Sequence, residues 1–295
     1  MLSLALQNLG MHFLQSKGYL PVIPPYFMNH TVMSECAQLE QFDEELYKVS
    51  GEGEDKYLIA TAEQPLSCFH RGERLLPSQL PIRFAGYSAC FRKEAGSHGR
   101  DTLGIFRIHQ FDKVEQFCIV EPEKSWEELE RLISTSEEWN QKLGLSYRVV
   151  AIVSSALNNA AAAKYDLEGW FPGSQKYREL VSCSNCTDYQ SRRLNIRLGQ
   201  TGGGDKNARK YVHMLNGTLC AIQRTLCCIL ETYQTPEGIA VPEALQPFVG
   251  KKLIPYKYTK EQVQAANAKM LKAMGVSAPK QEKAASSSSA KPAAN

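Results

Sequence analysis

The sequence lacks the features that mark several classes of protein. It has no run of 18 apolar residues, which predicts that no helix of the chain spans a membrane. Its first 20 residues contain neither the basic start nor the small-residue cleavage site of a secretory signal peptide. We therefore expect no membrane association and a cytoplasmic location.

Disulfide and zinc-finger frameworks are also missing. The nine cysteines are an odd number without the spacing of a small disulfide-rich domain, which is typical of reduced thiols in the cytosol. Cys183-Ser184-Asn185-Cys186 has the spacing of a metal-ligand pair, but no second pair follows at finger spacing. Two interpretations remain open, a metal site and a pair of small apolar residues, and the pattern favours the second.

The chain has no phosphate-binding loop with a Gly-Lys-Ser/Thr ending. Gly202-Gly203-Gly204 precedes Asp205 instead, so we interpret this stretch as a flexible connector. If the protein binds a nucleotide, other residues must hold its phosphates.

Charge is unevenly distributed along the chain. The formal net charge is +3, but nine lysines against two glutamates follow Gly250, which gives that part +7 and leaves −4 for the rest. A basic tail of this kind either attracts the phosphate backbone of a nucleic acid or only keeps the protein in solution. The sequence leaves both roles open.

Two arginines far apart in the chain are the most informative residues present. Arg92 lies in Arg92-Lys93-Glu94, Phe111 follows, and Arg224 comes much later. Each guanidinium can pair its N–H donors with carboxylate or phosphate oxygens, and an aromatic ring can stack on a base. This set suits an enzyme that activates a carboxylate with ATP, with Glu94 accepting a hydrogen bond from the adenine amino group.

The segments around these residues resemble the class II aminoacyl-tRNA synthetases. Phe91 through Phe111 resembles motif 2 of that family, and Gly217-Thr218 with Arg224 and Glu231 resembles motif 3. Pro21-Val22-Ile23-Pro24-Pro25 resembles motif 1. Within the family the chain is similar to the seryl-tRNA synthetases of the cytosolic eukaryotic type, over about residues 1–255. The stretches that indicate this subtype are 60–65, 111–117 and 178–186.

The resemblance implies a site for L-serine. By this resemblance, Thr61 and Glu63 would bind the amino group of serine, and Arg92 its carboxylate. Glu115 would contact the serine side chain, and Asn216 and Thr218 would form the floor of the pocket. Serine differs from alanine by one hydroxyl group. A pocket whose polar side chains bond that hydroxyl would reject alanine, because those side chains would be left unpaired.

The resemblance also implies a site for ATP and Mg²⁺. Arg92 would contact the α-phosphate and Arg224 the γ-phosphate, and these two are the implied catalytic residues. Glu179 and Ser182 would be ligands of Mg²⁺, which prefers a few carboxylate or hydroxyl oxygens alongside phosphates and water. The implied nucleotide contacts are Arg92, Lys93, Glu94, Ile108, His109, Gln110, Phe111, Glu179, Leu180, Val181, Ser182 and Arg224.

The residue patterns predict an α+β fold. One domain is predicted over 1–255, followed by a basic extension over 256–295 whose end, from Ala284, we expect to be disordered. Helices are predicted over 1–17, over 125–143 with Ser125 as the cap, and over 216–233; the β-rich runs are 81–85, 104–117, 147–153, 164–170 and 177–181. The resemblance implies a mostly antiparallel sheet flanked by helices. It also implies a homodimer formed through motif 1, with Pro25 and the first helix near the interface.

The chain departs from the family at its start. It begins at the motif 1 helix, without the helical hairpin arm with which whole seryl-tRNA synthetases grip tRNA-Ser. We therefore expect serine activation, contact with the tRNA acceptor end through 95–101, and weak charging of tRNA-Ser by this chain alone. Two other functions stay open, an arm-less ligase that charges a carrier protein and a non-catalytic dimerisation module.

Overall fold

The computed structural model describes residues 1–37, 45–51, 53–94, 104–199 and 210–273. The chain divides into two compact units, Met1–Ile254 and Pro255–Asn295. Within the described ranges, no helix is both long enough and apolar enough to cross a membrane. The predictions for the loop 95–101, for 202–205 and for the chain end from Ala284 lie outside the described residues, and the domain boundary at 255 stays a prediction.

The described residues contain helices in both units. In chain order they are α1 (Leu2–Ser16), α2 (His30–Cys36), α3 (Glu63–Ser67), α4 (Ser125–Lys142), α5 (Tyr189–Arg193), α6 (Ile222–Thr232), α7 (Gln246–Val249) and α8 (Lys260–Ala273). The strands are β1 (Leu20–Val22), β2 (Phe27–Asn29), β3 (Lys48–Val49), β4 (Lys56–Leu58), β5 (Arg74–Leu75), β6 (Ile82–Phe91), β7 (Gln110–Val120), β8 (Tyr147–Ala151), β9 (Ala163–Phe171), β10 (Lys176–Asn185), β11 (Arg197–Leu198), β12 (His213–Ala221), β13 (Gly238–Ala240) and β14 (Leu253–Pro255).

A seven-stranded sheet organises the first unit. Its strand order is β1-β6-β7-β12-β10-β9-β8, in which β1 runs parallel to β6 and the other neighbours are antiparallel. The long strands β6, β7, β12 and β10 therefore lie side by side at its centre. This arrangement confirms the predicted α+β fold with a mostly antiparallel sheet.

The two faces of the sheet differ because side chains alternate along each strand. On β7, Lys113 and Glu115 point to one face, where a cavity opens. Val114 points to the other face, towards Gly10 of α1 and Trp139 of α4. Trp139 is fully buried, and α1 and α4 cover that face with the main hydrophobic core. One face of the sheet thus packs against helices, and the other face carries polar side chains that line the cavity.

A second core holds the segment that precedes and includes α3 against the sheet. It packs the apolar side chains of β2, β4 and α3 against Phe84 of β6 and Phe117 of β7. Gly86 allows this close approach, since a Cβ there would lie 2.7 Å from Leu66 Cδ1 and 3.1 Å from Ala62 Cβ. The loop 60–64 is therefore held directly over β6 and β7.

The predicted helix over 216–233 was wrong in its first third. Residues up to Ala221 form β12, and α6 begins only at Ile222. β12 pairs with β7 and β10 along its two edges, and its residues after His213 are buried, with Leu219 in the core. The apolar residues at the end of β12 run directly into those of α6, so no change of period marks the boundary between strand and helix.

Two other predictions are corrected at element ends. The strand predicted from 104 begins at Gln110, and Gly104 has a φ of 66°, which an extended strand does not allow. Ser125 is the first residue of α4 rather than its cap, since its Oγ donates to Pro122 O, 3.0 Å away, in the preceding turn. The first helix, predicted over 1–17, is confirmed as Leu2–Ser16.

Candidate active site

A cavity of about 360 Å³ lies on the open face of the sheet, above β6, β7, β12 and β10. Most of the residues predicted to bind serine or ATP line it: Thr61, Glu63, Arg92, Glu94, Ile108, Phe111, Glu115, Glu179, Leu180, Ser182, Asn216, Thr218 and Arg224. They come from the three strands β7, β10 and β12, from α3 and α6, and from the connecting segments. Residues spread over more than half of the chain thus meet in one concave site.

The loop 60–64 forms one wall of the cavity, and hydrogen bonds between its backbone and nearby side chains hold it in place. Ala60 N donates to Gln64 Oε1 at 2.8 Å, and Ala60 O accepts from Arg92 Nε at 3.3 Å. Thr61 Oγ1 accepts from Glu63 N at 3.3 Å. The loop therefore presents Thr61 and Glu63 to the cavity in a defined conformation.

Beneath this loop lies a buried ion pair. Lys113 Nζ contacts the Glu115 carboxylate and donates to Thr61 Oγ1 at 2.8 Å, and Thr61 Oγ1 donates to Glu115 Oε2 at 3.1 Å. Lys113 and Glu115 are 6% and 1% exposed. Removing one partner of such a pair costs about 3–5 kcal/mol, because the other charge is left buried and unpaired. Lys113 and Thr61 thus hold the Glu115 carboxylate in a fixed position at the cavity wall.

Glu63 is the second carboxylate of this wall. Burial, followed by the negative charge of Glu115, raises the pKa of Glu63 to about 7, although Lys113 and the hydrogen bond from Gln190 oppose the change. Gln190 Nε2 donates to Glu63 Oε1 at 2.8 Å and orients it. A buried carboxylate with a raised pKa is stabilised by an incoming cation such as an ammonium group.

The floor of this end of the cavity is formed by β12. Asn216 and Thr218 have side chains on the cavity face and are each 8% exposed. Asn216 Nδ2 donates to Cys186 Sγ at 3.5 Å. Ser136 Oγ of α4 donates to the Thr218 carbonyl at 3.2 Å from the far side of the sheet. A small polar ligand group above the floor can therefore form hydrogen bonds with the Thr218 hydroxyl and the Asn216 amide.

Arg92 and Phe111 lie side by side at the middle of the cavity. The Arg92 guanidinium carbon is 5.3 Å from the centre of the Phe111 ring, within the range of a cation–π contact. Phe111 pairs with Cys90 across β6 and β7, so the strand ladder fixes its position. A guanidinium next to a flat ring can hold a phosphate or carboxylate beside a stacked base.

Glu94 is held by a second arginine. Arg107 Nη1 donates to Glu94 Oε2 at 2.5 Å, and both side chains line the cavity. Glu94 has a φ of 51°, a left-handed conformation that costs an L-residue about 1–2 kcal/mol. The ion pair with Arg107 accompanies that backbone conformation and orients the carboxylate.

Arg224 lies at the far end of the cavity, next to Glu179. Its Nη1 donates to Glu179 Oε1 at 3.1 Å and to Glu179 O at 3.3 Å. The ring of Phe106 lies between two guanidinium groups, at 4.9 Å from Arg224 and 5.3 Å from Arg178. Burial lowers the pKa of Arg224, which means that the cation has lost hydration and gains from an anionic ligand.

The residues at the Arg224 end fit a divalent cation. Glu179 and Ser182 line the cavity, and Asp166 faces Ser182 across β9 and β10. Asp166 Oδ1 is buried without a hydrogen-bond partner, and Lys164 Nζ is 3.8 Å away. Burial, followed by the charge of Glu179, raises the pKa of Asp166 to about 6. The Glu179 carboxylate and the Ser182 hydroxyl, with the Asp166 carboxyl group across the ladder from Ser182, match the sparse protein ligation of Mg²⁺.

Four predicted residues lie outside the cavity lining. Lys93 donates its backbone N–H to Glu45 O at 2.9 Å, and Gln110 is the exposed first residue of β7. The His109 ring lies 2.8 Å from Tyr47 Oη and 3.2 Å from Arg92 O, which makes it a support for the Arg92 backbone. Val181 is 1% exposed in the core, since the bulge between Glu179 and Val181 turns its side chain inward.

The Cys-x-x-Cys motif is part of the core. Cys183 and Cys186 are buried, and Cys183 Sγ packs where Gly217 has no side chain. All nine cysteines are free thiols, and the described part of the chain contains no cluster of three or more His, Cys, Asp or Glu side chains able to hold a metal. The small-apolar interpretation of this motif therefore fits the structure.

Several residues of the site were missed from the sequence. Lys113 lies two residues from Phe111 and two from Glu115 along β7. The strand period of two therefore indicates that all three side chains share the cavity face. Arg107 and Phe106 lie in the segment predicted as a strand, which hid their pairing with Glu94 and Arg224. Gln190 reaches Glu63 from α5, and no local pattern relates those two residues.

Comparison with known proteins identifies relatives over most of the chain. Residues 47–233 match the family model of the tRNA synthetase class II core domain (G, H, P, S and T). The serine--tRNA ligase of Helianthus annuus is 63% identical over 253 residues, which are 85% of this chain. The crystal structure of a cytoplasmic serine-tRNA ligase from Naegleria fowleri in complex with AMP is 58% identical over 87% of the chain, with a TM-score of 0.85. That of a seryl-tRNA synthetase from Pyrococcus horikoshii complexed with ATP is 46% identical over 87% of the chain, with a TM-score of 0.82.

The match covers only part of each relative. The chain spans 58% of the Helianthus protein, 60% of the Naegleria chain and 57% of the Pyrococcus chain. All three are named as enzymes that join serine to tRNA, so the two other functions considered, a carrier-protein ligase and a non-catalytic module, find no support among them.

Proposed function

The chain belongs to the class II aminoacyl-tRNA synthetases and, within them, to the seryl-tRNA synthetases, and from this premise we propose that it activates L-serine with ATP and transfers it to tRNA-Ser. The first step forms seryl-adenylate and releases pyrophosphate. In the second step a hydroxyl of the terminal tRNA ribose attacks the seryl carbonyl and AMP leaves. The observation that carries the proposal is the cavity, which joins a small acidic pocket to an arginine-lined channel.

Serine binds at the acidic end. Its ammonium group lies between Glu63 and Thr61, and its hydroxyl reaches Glu115 and the floor at Asn216 and Thr218. The pocket contains two carboxyl groups close to the cations Lys113 and Arg92, so each end of a zwitterion meets groups of the opposite sign. This balance favours an amino acid over a lone cation or anion.

ATP binds along the arginine end. Phe111 stacks on the adenine, and Glu94, oriented by Arg107, accepts from its amino group. Arg92 binds the α-phosphate together with the serine carboxylate, and Arg224 binds the γ-phosphate. A carboxylate oxygen of serine attacks the α-phosphorus as the bond to the pyrophosphate oxygen breaks. Holding both anions in line contributes up to roughly 7–11 kcal/mol to lowering the barrier in favourable cases.

Mg²⁺ is proposed at Glu179 and Ser182. When bound, the ion neutralises the charge of the leaving pyrophosphate. Glu179 also accepts from Arg224, so the same carboxylate aligns the cation that binds the γ-phosphate. Asp166 has a buried oxygen without a hydrogen-bond partner and a raised pKa beside this site, which suits a nearby cation.

We also propose that the protein is a homodimer in the cytoplasm. Leu4 of α1 and Leu20 and Ile23 of the motif 1 segment are exposed apolar side chains, as an interface on that segment requires. The Naegleria relative is named as a cytoplasmic enzyme. Contact with tRNA-Ser is proposed for the acceptor end.

Serine-dependent ATP–pyrophosphate exchange tests the activation step. We expect exchange with serine and little with alanine, threonine or glycine, while charging of tRNA-Ser is followed in parallel. Folded protein that exchanges with none of these amino acids would contradict the proposal. Transfer of serine to a carrier-protein thiol, but not to tRNA-Ser, would replace the tRNA step by the carrier-protein alternative.

The substitution Arg92→Ala provides the variant for this assay. We expect it to abolish exchange while the fold remains, since Arg92 makes one backbone hydrogen bond and lies over Phe111. Arg148→Ala is the matched control. Arg148 lies on β8, outside the cavity lining, and forms an ion pair with Glu168 of β9. Near-wild-type exchange by the Arg92 variant would remove that residue from the site.

A further inference from the structure

We propose that Gln223 is a positioning residue for ATP, which holds the base-stacking Phe111 and the phosphate-binding Arg224 in a fixed relation. This assignment rests on the proposed function. Gln223 belongs to neither the serine nor the nucleotide contacts inferred from the sequence. It immediately precedes Arg224 at the start of α6, and its side chain reaches the residue that follows Phe111 on β7.

The place of Gln223 in the fold explains its contact. The ladder between β12 and β7 ends at the pair Ala221 and Lys113, because the chain turns into α6 at Ile222. Asp112, the next residue of β7, would then lose its partner on this side. The Gln223 carboxamide supplies one: Asp112 N donates to Gln223 Oε1 at 2.9 Å. Gln223 Nε2 in turn donates to Asp112 Oδ2 at 3.1 Å.

The first of these hydrogen bonds replaces one that a neighbouring strand would make. The carboxamide oxygen of Gln223 accepts from the Asp112 N–H as a strand carbonyl would, and its NH₂ group, which has two N–H donors, donates to the Asp112 carboxylate. One of the two bonds goes to a carboxylate and is therefore of the stronger, charge-assisted kind. The start of β7 is thus tied to the first turn of α6.

Asp112 is held from its other side as well. Tyr87 Oη of β6 donates to Asp112 Oδ1 at 3.3 Å. The carboxylate therefore links three elements, β6, β7 and α6. Phe111 precedes it and Arg224 follows Gln223, so the two nucleotide contacts are each one residue from this link. The ladder with β6 holds this end of β7 along one edge, through the pairs of Phe111 with Cys90 and of Asp112 with Ala89. On the other edge, where β12 has ended, the Gln223 contact is the restraint that ties the strand to α6.

The substitution Gln223→Ala tests the assignment. The affinity for ATP is measured by calorimetry without serine, and KM for ATP and for serine by exchange. We expect the affinity for ATP to fall about tenfold, the factor expected for loss of a charge-assisted hydrogen bond. KM for serine should stay within about twofold, since the Gln223 contact lies at the ends of β7 and β12 beside Phe111 and Arg224, while Glu115 and Thr218 lie three residues further along those strands.

The matched control is Gln141→Ala. Gln141 also ties a helix to a strand, because its Nε2 donates to Tyr147 Oη at 2.7 Å between α4 and β8. It lies outside the cavity lining, so we expect both KM values to remain unchanged. The melting temperatures of the two variants show whether each fold is intact.

A second variant, Gln223→Glu, separates positioning from simple loss of packing. Its carboxylate keeps the acceptor for Asp112 N but places a second negative charge against Asp112 Oδ2. We therefore expect its KM for ATP at neutral pH to rise at least as far as that of the alanine variant, although glutamate fills the space of glutamine, because two carboxyl groups then face each other. A KM for ATP at the wild-type value in this variant would mean that the contact with Asp112 does not position the nucleotide residues.

The outcomes distinguish this inference from the proposed function. If wild type binds ATP and the alanine variant binds it tenfold more weakly, the inference stands even where serine exchange is absent and the proposed function fails. Unchanged ATP affinity in the alanine variant overturns the inference. Equal losses of ATP and serine binding with a lowered melting temperature also overturn it, since Gln223 would then serve only the fold.

Discussion

Glu63 shows how far burial changes the chemistry of a single side chain. Its carboxylate is surrounded by Gln190, Glu115 and Lys113, and burial is the largest cause of its raised pKa. An exposed glutamate is ionised at neutral pH, but this one is about half protonated there. Binding of an ammonium group must therefore compete with a proton.

This competition predicts a pH dependence of serine binding. With a pKa of about 7, the ionised fraction of Glu63 grows about tenfold between pH 6 and pH 8. Since the ammonium needs the ionised form, KM for serine should fall by about that factor as the pH rises, while KM for ATP changes little. Exchange kinetics at a series of pH values measure both constants.

The Glu63→Gln variant is the control for the pH series. We expect it to have a high KM for serine without this pH dependence, because the amide does not titrate. If the pH dependence persisted in that variant, another group would be responsible for it.

Thr218 determines the selection of serine against alanine in our interpretation. The substitution Thr218→Val keeps the shape of the side chain and removes its hydroxyl, so the serine hydroxyl loses a partner on the pocket floor. We expect the preference for serine over alanine, as a ratio of kcat/KM values, to fall about tenfold to a hundredfold. Exchange with the two amino acids gives the ratio.

Thr135→Val is the matched control for that substitution. Thr135 is another buried threonine, and its Oγ1 donates to Arg131 O within α4 at 2.8 Å, away from the cavity. This variant should leave the ratio unchanged. A ratio that also stays constant for Thr218→Val would mean that the floor is placed wrongly.

Packing between α3 and the sheet sets the position of the loop 60–64. Gly86 is buried beneath α3, and an added Cβ would lie 2.7 Å from Leu66 Cδ1 and 3.1 Å from Ala62 Cβ. Such overpacking typically costs about 1–3 kcal/mol. We expect Gly86→Ala to lower the melting temperature and to raise KM for serine several-fold, because α3 and Glu63 are pushed away from β6 and β7.

Gly10→Ala tests whether that effect is specific. Gly10 lies in α1, and an added Cβ would have its nearest contact at 3.4 Å, with Val114. Alanine also favours the helix by roughly 0.5–1 kcal/mol. This variant should therefore keep KM for serine and its melting temperature. If both glycine variants raised KM equally, the position of α3 would not be what matters.

The boundary between β12 and α6 illustrates why elements were harder to assign than motifs. The sequence from Asn216 to Ala221 is short, and its apolar end from Leu219 continues into the apolar residues of the helix, so the pattern fits a buried strand and a buried helix equally. The stretch forms a strand because its backbone pairs with β7 on one side and with β10 on the other. Arg224 lies on the helix in either case, so its place in the site did not depend on that boundary.

The basic tail is a separate unit from the part that holds the cavity. All residues lining the cavity belong to Met1–Ile254, and beyond Ile254 the chain has seven lysines against two glutamates. We expect truncation after Ile254 to leave serine-dependent exchange unchanged. Binding of tRNA-Ser should weaken and become less sensitive to salt, since every lysine that no longer neutralises a phosphate reduces the salt slope by roughly 0.7–0.9.

A full-length variant with those lysines replaced by glutamine is the control for truncation. It keeps the length of the chain and removes the charge, so it should reproduce the weaker, less salt-dependent binding. Unchanged binding of tRNA-Ser in both variants, measured by filter retention over a salt series, would leave the tail with a solubilising role.

The sequence by itself determined the chemistry of this protein. Arg92, Phe111, Thr218 and Arg224 lie in short motifs whose residue types and spacing are legible without coordinates, and the class of fold follows from the pattern of strands and helices. Each of these signals is local, because spacing along one element reports which side chains share its face.

Only the tertiary structure decided which residues act together. The contacts of Thr61 with Lys113 and Glu115, of Arg107 with Glu94, and of Gln223 with Asp112 depend on how strands, helices and connecting segments fold together. Such contacts join residues that are distant in the chain or that turn towards each other at the end of an element. Backbone pairing and core packing place them, and neither leaves a periodic trace in the sequence.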